Sequence, residues 1–205
     1  DKIGHRAWMR EMRLKVVPEE GQPIKEEWIV RYQEIPKQFR RMMEITGVDL
    51  AISEKETADF TAMVSVTAGF LDGKPKIYVL PMPVHDHLTL HETTERARLI
   101  QASMPSMRFY VEDVAYQKAA IEVMKKAWIN VTGVHPIGDK RARLETVAPR
   151  IQDGTVEFAQ NGLEDLIGQL INFGIEEHDD LVDALVYALL AVMSRGIHEK
   201  KVTWI

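Results

Sequence analysis

Apolar and polar residues follow patterns along most of this chain that are typical of a mixed α/β domain. After residue 42, three apolar or alternating segments with short links between them predict three sequential strands. Asp72-Gly73, between the second and third segments, is a dipeptide favoured in tight hairpin turns, so these strands should form an antiparallel meander. The predicted strands are Ile45–Ile52, Thr61–Ala68 and Lys76–Met82.

Helical and strand-like patterns alternate after the meander. Apolar residues recur at helical spacing in Thr89–Met104, Gln117–Ala127, Lys140–Ile151, Glu164–Phe173 and Asp179–Ser194. Compact apolar runs predict further strands at Met107–Val111 and Ile129–Val134, and Gly154–Phe158 has the pattern of a turn leading into a short strand. This order predicts an α/β fold with a mixed sheet flanked by helices, in which parallel strands follow the antiparallel meander.

In the first 41 residues, the apolar positions follow neither the spacing of a helix nor the alternation of a strand. Basic and aromatic residues there surround a turn-like segment at residues 18–23. We interpret residues 1–41 as a linker or arm and residues 42–205 as one domain, with an ordinary first helix and hairpin as the alternative for the arm. The chain begins with Asp1 rather than Met, so we expect it to be part of a longer protein.

The composition narrows the possible functions. With 205 residues, 45% of them hydrophobic and 28% charged, the chain can bury a core, which excludes whole-chain disorder. The absence of cysteine excludes disulfide frameworks, thiol nucleophiles, zinc–cysteine sites and iron–sulfur clusters. No apolar run approaches the ~18–20 residues of a membrane helix, so no membrane partner is expected. The net charge of −5 argues against a simple electrostatic binder of nucleic acid but not against a nuclease.

Carboxylates recur where strands end and where the last helix begins. Asp49 interrupts an apolar strand, where burying its charge costs several kcal/mol unless it is paired, hydrogen-bonded or metal-bound. The other acids of this pattern are Glu112, Asp113, Asp179, Asp180 and Asp183. Singly, each has an ordinary explanation as a helix cap, a satisfied core acid or a solvated strand end. Together they suggest an oxygen-ligand site for Mg²⁺ or Mn²⁺, and two such ions suit in-line phosphoryl displacement.

Three stretches resemble, in order and spacing, the C-terminal nuclease domain of the large terminase, the DNA-packaging motor protein of tailed bacteriophages. They are Gly47-Val48-Asp49 with Asp59-Phe60-Thr61-Ala62, then Tyr110-Val111-Glu112-Asp113, and finally Asp139-Lys140, Arg143, Ile151–Phe158 and His178–Leu185. The resemblance extends from Thr46 to Ser194. It implies a ribonuclease-H-like fold and a metal-dependent endonuclease that cuts concatemeric double-stranded viral DNA by a two-metal mechanism. We expect little sequence preference, because no element that would read a DNA groove is evident.

The resemblance also implies a role for individual residues. Asp49, Glu112 and Asp180 match the metal-binding triad, with Asp179 and Asp183 as neighbouring candidates on the last helix. It further implies Asp59 as a helper acid, and Asp113 is the reserve for Glu112. For a nuclease, the candidate DNA-phosphate contacts are Lys140, Arg141 and Arg143, with a solvated helix start as the alternative. His178, beside the acids, could bind metal, orient a water or cap the helix. Strand alternation allows only one of Glu112 and Asp113 to face the metals.

The chain has no Gly-x-x-x-x-Gly-Lys-Ser/Thr phosphate loop, so we expect no ATP hydrolysis by this part. The resemblance implies an upstream ATPase domain in the same polypeptide, the portal and the small terminase as partners, and action in the host cell cytoplasm.

Other functions remain open at this point. A ribonuclease-H-like Holliday-junction resolvase or an integrase would share the acid geometry, and a resolvase would favour Asp183 as the final ligand. A non-catalytic DNA-binding or portal-docking module would use the acids only to hold a structural ion. His85, His87 and His91 have a spacing that suggests zinc, but no fourth strong ligand is evident, so we favour an exposed loop that lies against DNA.

Overall fold

The computed structural model describes residues 21–50, 60–113, 117–135, 137–175 and 179–197. Within these ranges one mixed sheet contains the strands β1 (Arg31–Tyr32), β2 (Arg40–Asp49), β3 (Thr61–Leu71), β4 (Lys74–Val79), β5 (Val84–Asp86), β6 (Arg108–Glu112), β7 (Val131–Val134) and β8 (Val156–Ala159). The strand order is β1-β8-β4-β3-β2-β6-β7, and β5 pairs with β3 beside this path.

Helices cover both faces of the sheet. They are α1 (Leu90–Ser103), α2 (Gln117–Lys126), α3 (Lys140–Gln152), α4 (Glu164–Ile171) and α5 (Asp180–Arg195). Apolar residues of α1 and α2 form one core with one face of the sheet, and those of α3, α4 and α5 form a second core with the other. The predicted α/β fold with a mixed sheet is therefore confirmed, and each helix lies within a few residues of its prediction. No helix in the described ranges is long and apolar enough to cross a membrane.

The three-strand meander is also confirmed. Strands β2, β3 and β4 pair antiparallel in sequence order. Asp72 and Gly73 both have positive φ, 51° and 75°, as a two-residue hairpin of this kind requires. The hairpin of β2 and β3 extends further than predicted, because charged residues before Ile45 hid its first half. The Arg40 guanidinium lies 5.3 Å from the centre of the Phe70 ring across the strand pair.

Parallel strands flank the meander on both sides. As predicted, β6 follows the meander as a parallel strand, pairing with β2, and β7 pairs parallel with β6. The last strand, β8, returns to the opposite edge and pairs parallel with β4, a placement that its short sequence did not reveal.

Two segments differ from their predicted conformations. The predicted loop at residues 84–86 is wrong, because these residues form β5 and pair antiparallel with Thr61–Met63. The flanking prolines and the polar residues of this short strand masked its pairing. Within the predicted arm, β1 pairs with Phe158–Ala159 and Ile24 is buried in the core. The boundary between residues 41 and 42 stays a prediction.

Candidate metal centre

Two adjacent parallel strands end in acids at the same edge of the sheet. Val48 of β2 lies opposite Val111 of β6, so Asp49 and Glu112 are the next residues of both strands. Side chains alternate along a strand, and Tyr110 belongs to the core on the α5 face, which places Glu112 on that same face with Asp49.

Asp113 lies on the other face of the sheet. Its side chain packs so closely against Gly133 that a Cβ there would lie 2.9 Å from the Asp113 Cβ. Its carboxylate Oδ2 is 3.4 Å from Nε2 of His135. Of the two acids that end β6, Glu112 therefore shares a face with Asp49, and Asp113 does not.

Helix α5 crosses β2 at very short range because residue 47 is glycine. A Cβ at Gly47 would lie 1.9 Å from the carbonyl oxygen of Ala184 and 2.6 Å from the backbone nitrogen of Ala188. The first turn of α5 is further held by Gln169 of α4, whose Oε1 accepts a hydrogen bond of 3.0 Å from the Leu181 backbone N–H. This packing brings the acids of that turn, Asp180 and Asp183, toward Asp49.

Asp49 lies in a strongly negative environment. Burial is the main reason that its pKa is raised to about 8, and the neighbouring carboxylates of Asp183, Asp180 and Glu112 raise the pKa further. The Lys140 ammonium lowers the pKa but does not offset these effects. Acids from β2, β6 and α5 therefore interact with one another at this edge of the sheet.

Two basic side chains of α3 neutralise Asp183, which is 3% exposed. The Arg143 guanidinium lies 3.2 Å from Oδ1 of Asp183, and the Lys140 ammonium lies 2.7 Å from Oδ2. Burial lowers the pKa of Lys140, but its hydrogen bonds with Asp179 and Asp183 outweigh burial and raise the pKa overall. Asp179 occupies the N-cap position of α5, yet its side chain pairs with Lys140 instead of capping the helix.

The position of Arg143 differs from the predicted DNA contact. Only 7% of the residue is exposed, and its guanidinium lies over the Tyr187 ring while it pairs with Asp183. A side chain buried in this way neutralises an interior acid and is not available to a phosphate, so the sequence prediction for Arg143 is corrected. Lys140 and Arg141 are exposed, and Arg141 donates hydrogen bonds to Glu145 and to the backbone carbonyl of Gly21.

Replacing Arg143 by Ala should destabilise the protein by about 2 kcal/mol, because Asp183 would stay buried with only Lys140 beside it. Urea denaturation at pH 7 measures the change in the free energy of unfolding. The exposed Arg141→Ala is the matched control and should change it by less than about 0.5 kcal/mol. An unchanged stability combined with a loss of DNA affinity would instead support the phosphate contact that the sequence predicted for Arg143.

His85 is a site residue that the sequence analysis did not identify. Strand β5 places it opposite Ala62 of β3, and its Nε2 lies 3.5 Å from Oδ2 of Asp180. The Phe60 ring supports it, with ring centres 4.5 Å apart, and the same ring stacks on His87 at 3.9 Å. The histidine spacing was visible in the sequence, but only the pairing of β5 with β3 shows which histidine reaches an acid.

Two predicted residues, Asp59 and His178, lie outside the described residues. The zinc interpretation of the three histidines finds no support, because no three His, Cys, Asp or Glu residues in the described ranges are grouped closely enough to hold one ion.

The donor chemistry fits a hard divalent cation. The acids that influence Asp49 offer only oxygen ligands, which suit Mg²⁺ or Mn²⁺. Burial is the main cause of the raised pKa of Asp49, and the part that comes from neighbouring carboxylates is the part that a bound cation would offset. The Lys140 ammonium already lies between Asp179 and Asp183. Because the described acids are not yet grouped around one point, binding an ion requires them to draw closer together.

A model of the terminase RNaseH-like domain family matches residues 46–192 of the chain. The chain belongs to this family. The resemblance inferred from the acidic motifs is thereby confirmed, and the match covers most of the described sheet and helices of this terminase domain.

Solved structures share the fold of this terminase domain. The large terminase nuclease of thermophilic phage G20c with bound magnesium is 13% identical, and the match covers 84% of this chain and 98% of that chain with a TM-score of 0.63. The human cytomegalovirus terminase nuclease domain is 17% identical over 82% of this chain and 94% of that chain, with a TM-score of 0.59.

A large terminase from another thermophilic bacteriophage is 12% identical over 83% of this chain, with a TM-score of 0.60. The chain aligns with 44% of that longer protein. No curated protein sequence matches this chain.

Proposed function

We propose that this terminase domain is a metal-dependent endonuclease that hydrolyses phosphodiester bonds of double-stranded DNA. The observation that carries the proposal is that carboxylates from α5 and β6 act on Asp49 at one edge of the sheet, where burial and these neighbouring carboxylates raise the pKa of Asp49 to about 8. Carboxylates kept at such an energetic cost without a metal are typical of a site built to bind cations.

Asp49, Glu112 and Asp180 would hold the divalent ions, with Asp179 and Asp183 as further acids in reach. Asp59, outside the described residues, stays the helper acid that the resemblance implies. Related structures support a divalent ion, since the G20c nuclease is solved with magnesium, zinc and cobalt and the cytomegalovirus nuclease domain was soaked with manganese. The oxygen ligands of this chain's acids favour Mg²⁺ or Mn²⁺ among them. When bound at these carboxylates, two divalent ions would supply the Lewis acidity that an in-line displacement at phosphorus requires.

The chain's own residues orient the site and the substrate. His85 contacts the Asp180 carboxylate and would help to orient it, and Arg143 pairs with the buried Asp183 of the same helix turn. The exposed Lys140 and Arg141, at the start of α3, would contact DNA phosphates, which positions a duplex without reading its sequence. We therefore expect cleavage with little sequence preference.

In the complete motor this activity would cut concatemeric viral DNA into packaged lengths. An ATPase domain upstream in the same polypeptide is part of the proposal. The greater length of the second thermophilic phage's large terminase, which is also solved with ADP, supports it. The portal and the small terminase would be the other partners, and the host cell cytoplasm the place of action.

Plasmid cleavage with and without Mn²⁺ tests the proposed activity. Wild-type protein should nick or linearise the plasmid in Mn²⁺ or Mg²⁺ and lose this activity in EDTA, and Asp180→Ala should be inactive. Asp165→Ala, which removes an exposed acid from the first turn of α4, should cleave like wild type. Folded protein that binds Mn²⁺ but leaves DNA intact would favour a docking module, and preferential cleavage of a four-way junction would favour a resolvase.

Replacing His85 by Ala should lower the cleavage rate about tenfold or more, because Asp180 loses the group that orients it. His87→Ala is the matched control, since it also removes an imidazole stacked on Phe60, and it should have a smaller effect. Single-turnover cleavage in Mn²⁺ compares the variants. Equal losses of cleavage rate in His85→Ala and His87→Ala would mean that both histidines act only through their packing on Phe60.

A further inference from the structure

The Lys140 side chain places a positive charge among the acids of the proposed metal centre. Its ammonium bridges Asp179 and Asp183, at 2.7 Å from Oδ2 of the latter. The residue is the first of α3, and the Asp139 side chain caps that helix by accepting a hydrogen bond from the Ala142 backbone N–H. The backbone of Lys140 is thus fixed, while its flexible side chain is 49% exposed.

Arg143, the other basic residue that pairs with Asp183, is held in place by more contacts than Lys140. Its guanidinium is buried, lies over the Tyr187 ring, and donates to the Gly138 carbonyl as well as to Asp183. Withdrawing it would leave an interior acid without its neighbour, at considerable cost. Withdrawing the half-exposed Lys140 costs less, because its ammonium is rehydrated by solvent and Arg143 still neutralises the buried Asp183.

The carboxylates that hold the Lys140 ammonium, Asp179 and Asp183, are the further acids that the proposed site offers to divalent ions. Metal ions of this class bind directly to carboxylates. An ammonium group within a few ångströms would repel such a metal ion, because both are positively charged. The described acids are not grouped around a common point while Lys140 lies between two of them.

We propose that Lys140 is the displaceable counter-ion of the metal-free site, and that divalent ions must compete with it for Asp179 and Asp183. The proposal rests on the proposed nuclease function of these acids. Arg143 stays in place during the exchange. Once displaced, the Lys140 ammonium is exposed at the rim of the site and pairs with a DNA phosphate, which links metal occupancy to DNA binding.

Calorimetric titration of Mn²⁺ into DNA-free protein at pH 7 tests this competition. Lys140→Met keeps the length of the side chain but removes its charge, and it should bind Mn²⁺ about threefold to tenfold more tightly than wild type. Lys140→Arg, which keeps the charge, should bind no more tightly than wild type. Arg141→Met removes one charge from the neighbouring position and should change the affinity less than twofold, because Arg141 pairs with Glu145 and not with the acids of the site.

Unchanged or weaker Mn²⁺ binding by Lys140→Met would overturn the competition. An equal gain in Mn²⁺ affinity in Arg141→Met would mean that the effect of Lys140→Met comes only from the change in net charge. If wild type does not bind Mn²⁺, or if Asp49→Asn binds it equally well, the proposed metal centre itself fails.

Thermal unfolding gives a second readout that does not depend on activity. Without metal, Lys140→Met should melt at a lower temperature than wild type. Saturating Mn²⁺ should raise the melting temperature of Lys140→Met by more than it raises that of wild type. Lys140→Gln repeats the test if the Met variant folds poorly. Equal shifts with Mn²⁺ in wild type and in the neutral variants would contradict the proposal.

Discussion

Replacing Asp49 by Asn should abolish metal-dependent DNA cleavage while making the metal-free protein more stable. The loss of activity should be about a thousandfold or more, because the substitution removes a ligand from the centre of the proposed site. The gain in stability has a separate cause. Burial and the carboxylates of Asp183, Asp180 and Glu112 raise the pKa of Asp49 to about 8, so at neutral pH the folded state must hold a proton that the unfolded chain releases, and this lowers the free energy of unfolding.

The sign of the pH dependence follows from this shift. The folded protein holds the Asp49 proton up to about pH 8, whereas the unfolded chain releases it near pH 4. The folded state therefore binds more protons between these values, and the free energy of unfolding should decrease as pH rises from about 4 to about 8. Asn has no such titration, so the variant should be more stable than wild type at pH 8 by on the order of 2 kcal/mol.

Urea denaturation at pH 5 and pH 8 in EDTA measures this difference, with plasmid cleavage in Mn²⁺ beside it. Asp165→Asn, at an exposed position in α4, controls for the loss of one negative charge and should change neither quantity appreciably. A purely structural acid behaves differently, since removing it lowers stability. A less stable Asn variant, or one that still cleaves DNA, would remove Asp49 from the metal centre.

Replacing Gly47 by Ala should destabilise the protein by more than about 3 kcal/mol or prevent its folding. The added Cβ would lie 1.9 Å from the Ala184 carbonyl oxygen and 2.6 Å from the Ala188 nitrogen. Both are backbone atoms in the middle of α5, so no side-chain rotation relieves the overlap. The helix must move away from β2, and Asp180 and Asp183 move away from Asp49 with it.

Gly133→Ala is the matched control, because it also adds one methyl group to a strand glycine. Its Cβ would lie 2.9 Å from the Asp113 Cβ and 3.1 Å from the end of the Ile121 side chain, an overlap much smaller than the 1.9 Å approach at Gly47. The melting temperatures of the two variants should therefore differ widely, with Gly133→Ala closer to wild type. Equal and small losses would mean that α5 does not depend on the close approach at Gly47.

The regular elements were predictable because local pattern and tertiary packing agree in them. The helices around Leu144, Leu166 and Leu185 carry apolar faces that the second core buries, and the Asp72-Gly73 turn specifies its hairpin by local backbone geometry. Strand β5 was not predictable in this way. Its three residues are held by pairing with β3, a contact that no local pattern encodes.

The acids of the site could be identified from their spacing in the sequence and from the alternation of side chains along a strand, but their faces and partners could not. Glu112 and Asp113 occupy adjacent positions of one strand, and only the packing of Tyr110 on one face and Gly133 on the other shows which acid faces α5. Arg143 and Lys140 have the same charge and nearly the same position in sequence. Their different roles depend on burial against Tyr187, which sequence reasoning could not establish.

The most direct test of the metal centre is the location of Mn²⁺ in crystals grown or soaked with the ion, measured by anomalous scattering near the manganese edge. The account predicts an anomalous peak bounded by the carboxylates of Asp49, Glu112 and Asp180, with the Lys140 ammonium withdrawn from Asp179 and Asp183. A well-ordered crystal of active protein without a peak between these acids, or with its strongest peak at another group of residues, would contradict the account.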